Sequence, residues 1–241
     1  MENKIVKEFR THLENFKSEY VKKGLGSIAG EMLQCYGRLI HEWQPLELPS
    51  TTILRFDFGG HKREKWFNGP TSYGIWSLQL YINEEEFIKL EDNKKIVFVS
   101  DLIVEYLCRL FDIQKLDKQR IYDAQDKIIA NNYFIKIEEF KNKNRKTICW
   151  YEVLNGYREN KYRLCYQNKG EEVKRIDICT QKHYDAILWE KLDIHDMLAI
   201  TQIFTNKGWR NTNEFVMTWD RNEYVFYLDK EEIVINTLEN E

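Results

Sequence analysis

Apolar positions recur along the chain with two different periods, and the two periods predict its elements. Over residues 3–22, Ile5, Val6, Phe9, Leu13, Phe16 and Tyr20 fall at spacings of one, three or four with Lys and Glu opposite, which predicts an amphipathic helix stopped by Gly24. A second helix is predicted over 28–43, capped by Ser27 and ended by Pro45. The period then changes to two. Leu54, Phe56 and Phe58 alternate with Ile53, Arg55 and Asp57, and Trp76, Leu78, Leu80 and Ile82 alternate with Ile75, Ser77, Gln79 and Tyr81. Such alternation predicts strands with one dry and one wet face, of the kind found in an antiparallel pair. The segment between them holds the chain's only Gly-Gly pair, Gly59-Gly60, and runs on to Gly69-Pro70.

Further on, Ile96–Val99 reads as a short strand, and Ser100 as the cap of a helix over 101–111. A helix over 119–131 is followed by two hairpins. Tyr133–Phe140 and Thr147–Leu154 flank the turn Lys141–Lys146, while Lys161–Gln167 and Glu172–Thr180 flank Asn168-Lys169-Gly170. Helical patterns near 182–190 and 194–206 precede three short strands, 215–219, 224–228 and 233–236. The expected class is α+β: N-terminal amphipathic helices followed by antiparallel hairpins and meanders interrupted by helices. The pattern loosens between Asp112 and Lys118. That gives an expected division into 1–118 and 119–241, or one continuous domain, since nothing there has a linker's composition.

Composition narrows the function classes. The chain of 241 residues carries a net charge of −3, with 18 Lys/Arg and 18 Asp/Glu in residues 1–120 and 18 against 21 in the rest. Neither half is a basic body, which removes the usual electrostatic signature of a duplex-binding protein. The five cysteines contain no C-x-x-C pair and sit in apolar segments, so buried free thiols in a reducing compartment are expected. No apolar run reaches the length of a signal-peptide core or a membrane span, and the expected location is the cytoplasm.

The chemistry-bearing candidates are few. Arg55, His61, Lys62, Arg63, Lys65 and Trp66 form the expected ligand-contacting set: cations meet phosphate or carboxylate, and Trp66 offers a stacking face. The glycines before them lack both phosphate-loop spacings. His195-Asp196 could contribute to a metal site with His41, His183 or a distant carboxylate, although a helix-start role explains the Asp residues more simply. Glu172-Val173-Lys174 with Asp177 matches half of a metal-dependent nuclease pattern but lacks the acid on the preceding strand. No metal and no cofactor is expected. The turn Lys141–Lys146 reads first as a solvated hairpin tip and second as a dock for an acidic partner. Trp150, Tyr151, Tyr157, Tyr162 and Tyr166 read as packing rings.

These features favour a non-enzymatic cytoplasmic protein that binds another macromolecule, such as an inhibitor or immunity-type partner of a toxin or effector. The alternatives are a metal-dependent phosphodiester- or nucleotide-processing enzyme, and a nucleic-acid-binding accessory protein.

Overall fold

The computed structural model describes residues 2–61, 67–182, 204–219 and 221–238. They form an α+β protein of two compact units. The first unit is built from the described part of 1–135 together with Asn155–Glu159. The second comprises Lys136–Leu154, Asn160–Gln181 and the described residues after 203.

The first unit opens with strands, where the apolar spacing predicts a helix over 3–22. β1 (Asn3–Ile5) is followed by β2 (Glu8–Glu14). Phe9, Thr11 and Leu13 also obey a period of two, and that period wins because β2 finds a partner. They sit opposite Leu54, Phe56 and Phe58 of β4 (Ile53–Gly59). Asn15 leaves the strand at φ 57°. Ser18, not Ser27, then caps α1 (Glu19–Trp43), its Oγ accepting from Val21 N–H at 3.3 Å. Gly24, expected as a stop, lies inside this helix, where a Cβ would stand 2.4 Å from the Tyr157 ring. A short strand, β3 (Glu47–Pro49), pairs antiparallel with β1.

The strands of the 52–82 stretch are present, but their pairing differs from the expected antiparallel one. β4 runs parallel to β2 on one side and to β6 (Ile75–Tyr81) on the other. Alternation reports a half-buried strand, not the direction of its neighbour. The chain from β4 to β6 is therefore a return connection and no hairpin. It contributes β5 (Phe67–Asn68), antiparallel to β6, and the sheet order is β2-β4-β6-β5.

Helix α2 (Glu84–Lys89) begins at Asn83, whose side chain caps it. Glu84 reaches back so that its carboxylate accepts from Lys17 N–H at 2.7 Å and Ser18 N–H at 3.2 Å, beside the start of α1. The expected strand 96–99 and helix 101–111 are instead one helix, α3 (Asp92–Gln114). In the run Ile96–Val99 only Ile96 and Val99 are buried, while Val97 and Phe98 are exposed, which is a helical and not a strand division. Ser100 is not a cap: buried in mid-helix, its hydroxyl shares a 2.7 Å hydrogen bond with Tyr36 of α1. α4 (Gln119–Ala130) follows as expected. Its buried Arg120 donates to the carbonyls of Ile40 and Gln44, the open C-terminal acceptors of α1.

The second unit carries two antiparallel meanders. The first has the order β10-β9-β8-β7, from β7 (Ile135–Lys141), β8 (Thr147–Asn155), β9 (Glu159–Asn168) and β10 (Lys174–Lys182). The second runs in sequence through β11 (Thr205–Trp209), β12 (Glu214–Trp219), β13 (Asn222–Tyr227) and β14 (Glu232–Thr237). The predicted helical pieces over 182–190 and 194–206 fall mostly outside the described residues, and where description resumes Thr205 and Asn206 are strand.

The two sheets face each other across aromatic rings. Phe204, 1% exposed, packs edge-on against Tyr151, Tyr162 and Tyr224 at 5.5–5.9 Å between centroids. Phe140 meets Phe215 and Tyr166 meets Phe226 in the same layer. The strand-borne rings singled out in the sequence are therefore core, each ring pair adding about 0.5–1.5 kcal/mol to the burial itself.

Candidate functional site

The polar face of the parallel sheet holds the first group of candidates. Strand parity puts Glu8, Arg10 and His12 of β2 on the same face as Arg55 and Asp57 of β4, with Arg10 opposite Arg55 and His12 opposite Asp57. Two arginines side by side would repel. Each turns to a carboxylate two residues away on its own strand: Arg10 Nε lies 2.6 Å from Glu8, and Arg55 Nη2 donates to Asp57 Oδ2 at 3.1 Å. Arg55 Nε is closer to Asp57 Oδ1, at 2.7 Å, but off-axis for a hydrogen bond. Asp57 is 3% exposed and His12 Nδ1 stands 3.5 Å from it. Arg55 is thus committed to neutralising a buried carboxylate, which would otherwise cost several kcal/mol.

His61 is exposed, next to Gly60. The close backbone approach that Gly60 permits is to the chain itself: a Cβ there would meet the Asn15 carbonyl at 2.6 Å and Glu84 at 2.9 Å. Lys62, Arg63, Lys65 and Trp66 lie outside the described residues, as do His183, His195 and Asp196. His41 sits in the last turn of α1 with its ring edge-on to Phe9, and burial, together with the charge of Arg120, pushes its pKa down. Of the half nuclease pattern, Lys174 is bound to Glu231, and Glu172 and Asp177 are exposed. Among the described residues no three His, Cys, Asp or Glu side chains stand together as a metal cage. Burial raises all five thiols, Cys165 and Cys179 each to about 12, which keeps them protonated near neutrality.

The second unit supplies a different arrangement at the β7–β8 turn. Lys141, Asn142, Lys143, Arg145 and Ile148 line a concavity of about 580 Å³. Its frame is Asn142, 2% exposed. The Asn142 Oδ1 accepts from Lys146 N–H at 3.1 Å and Thr147 N–H at 3.2 Å, and its Nδ2 donates to the Thr212 carbonyl. Arg145 closes the turn at φ 55°. In a four-strand meander the first and third turns emerge at the same end, and Lys169 N–H donates to the Lys146 carbonyl at 2.9 Å. A second basic tip is thereby laid against the first.

Lys143, Arg145, Lys146 and Lys169 form no ion pair among the described residues, and Lys141 has only a 3.7 Å contact with Glu139. The carboxylates of Glu171, Asp229 and Glu231 have other partners: Glu171 accepts from Asn168, Asp229 from Asn213, and Glu231 pairs with Lys174. The run of lysines is visible in the sequence. The framing role of Asn142 and the approach of Lys169 are not, although the meander order implies that the two turns share an end.

No helix among the described residues is long and apolar enough to cross a membrane. No protein-family model, curated protein or solved structure matches this chain.

Proposed function

We propose that the protein acts by binding another macromolecule, as an inhibitor or immunity-type partner, and that it docks an acidic protein surface against the β7–β8 turn. One observation carries the reading: a turn framed by a buried asparagine presents four cations, Lys143, Arg145, Lys146 and Lys169, that form no ion pair among the described residues, and Lys143 and Arg145 line a concave surface. A preorganised turn loses little conformational freedom on association, and unpaired surface cations steer an acidic partner to it. A flexible lysine tail would lack the first advantage.

Replacing Lys143, Lys146 and Lys169 together by Glu tests it. These side chains are exposed, so stability is expected to shift by no more than about 0.5 kcal/mol at each site. Affinity for the partner should fall at least about tenfold, mostly through slower association, and the wild-type affinity should itself weaken with salt. Partner affinity unchanged in the triple variant would refute the assigned surface. Retention on nucleic acid alone, lost after nuclease treatment, would refute a protein partner.

A further inference from the structure

The second meander ends on an unguarded edge. β14 has β13 as its only neighbour among the described strands, and their register runs unbroken from Asn222↔Thr237 to Tyr227↔Glu232. Edge strands are usually blunted by a bulge, a proline or a lysine in the strand. β14, Glu-Ile-Val-Ile-Asn-Thr, has none of these, and its one charged side chain, Glu232, stands at its first position. Ile235 is 55% exposed and Val234 37%. The phase of its hydrogen bonds follows from one contact: Leu238 N–H donates to the Arg221 carbonyl at 2.7 Å. The ladder alternates, so Glu232, Val234 and Asn236 bond to β13 and the N–H and C=O groups of Ile233, Ile235 and Thr237 point outward.

We propose that β14 pairs antiparallel with β14 of a second copy of this chain, about a two-fold axis through Ile235, fusing two meanders into one continuous sheet. The strand is complementary to itself in that register. A two-fold axis normal to the sheet keeps every residue on its own face, so opposed residues must both be odd or both be even. Centred on Ile235, the outward-pointing residues meet one another: Ile235 opposes Ile235, and Ile233 opposes Thr237. Each of these narrow pairs exchanges two backbone hydrogen bonds. Between them Val234 opposes Asn236 and Glu232 opposes Leu238, so no like charges face each other. Centring on Val234 would instead set Thr237 against Glu231, a turn residue at φ 54°, and lose a pair.

The full chain is to be followed by sedimentation between about 1 µM and about 1 mM, a range that brackets ordinary self-association constants. A dimer is expected, with the amides of Ile233, Ile235 and Thr237 exchanging slowly with solvent at high concentration and quickly on dilution. Ile235→Lys places two ammonium groups across the axis and should weaken dimerisation at least about tenfold. Ile235→Pro removes only an outward-facing N–H, a change that edge strands tolerate, and should likewise give monomer with the wild-type circular dichroism spectrum. A monomer at every concentration overturns the proposal. So does a dimer that survives both substitutions, or one whose three amides exchange freely. If either variant fails to fold, the wild-type exchange measurement still decides.

Discussion

Arg163→Met unfolds the protein at a markedly lower urea concentration, with a loss of about 3–5 kcal/mol, the usual consequence of stranding a buried charge. The charge is Glu152 on β8, whose side chain is 5% exposed. Burial alone would raise its pKa. The Trp150 indole N–H at 2.9 Å and the Arg163 guanidinium, with Nε at 2.7 Å and Nη2 at 2.6 Å, outweigh burial and hold it below the ordinary 4.5. A lowered folded-state value contributes stability that is present above pH 4.5 and is lost as pH falls through the lowered value. In Arg163→Met that support disappears and burial raises the Glu152 pKa, so the variant should gain stability as pH falls from that raised value towards 4.5, above the window in which the wild type loses it. Replacing both partners with Met should cost far less than the single change, because no buried charge is left unpaired. Urea titrations of the three proteins at pH 7 and pH 4 check all of this. A double variant as unstable as Arg163→Met would contradict the assignment.

The second large effect concerns two glycines of α1 that the sequence cannot rank. Alanine in an exposed helix interior is favoured over glycine by about 1 kcal/mol. Gly30 has nothing within 4 Å of a built Cβ, so Gly30→Ala should stabilise by up to that amount. Gly24 faces Tyr157, whose ring would lie 2.4 Å from a Cβ and whose carbonyl would lie 3.1 Å away. The ring has little room to retreat. Tyr20 and Phe87 pack edge-on against it at 5.2 and 5.8 Å, and the buried Lys95 ammonium lies 4.4 Å from its centre. Overpacking of this kind costs about 1–3 kcal/mol for one methyl and more for a branched side chain. Gly24→Ala is therefore expected to destabilise despite its better propensity, and Gly24→Val to lose more. Thermal midpoints moving the same way for Gly24→Ala and Gly30→Ala would show that the ring does give way.

What the sequence discloses of this fold divides along contact range. The hairpins β7–β8 and β9–β10 and the strands β12 to β14 are set by local alternation and turn residues, and they lie where pattern predicts them. In the first unit the deciding contacts are distant. Phe9, Thr11 and Leu13 satisfy both helical and strand spacings, and only the parallel partner more than forty residues away selects the strand. The same distance hides the direction of β6, because period-two alternation is identical for parallel and antiparallel neighbours. Ile96–Val99 is an apolar run without a period, and α3 claims it because its burial falls at i and i+3.

The candidate site divides in the same way. Cation runs at 62–65 and 141–146 can be read directly from the chain. Arg55 looks available in the sequence, yet two residues of strand parity turn it onto Asp57. The β7–β8 turn looks like a solvated tip, yet Asn142 is buried and frames a concavity there, and Lys169 arrives beside it from another hairpin.

The central claim is that this turn meets acidic side chains of one protein. Zero-length carbodiimide coupling joins an amine to a carboxylate only when the two are already in contact, which is the contact proposed. Coupling in extract of the native host at low salt, followed by peptide mass spectrometry, should join Lys143, Lys146 or Lys169 to Asp or Glu residues of a single protein, and the links should vanish in the triple Glu variant. Links from other lysines of the chain to such a partner, with none from this turn, would contradict the claim.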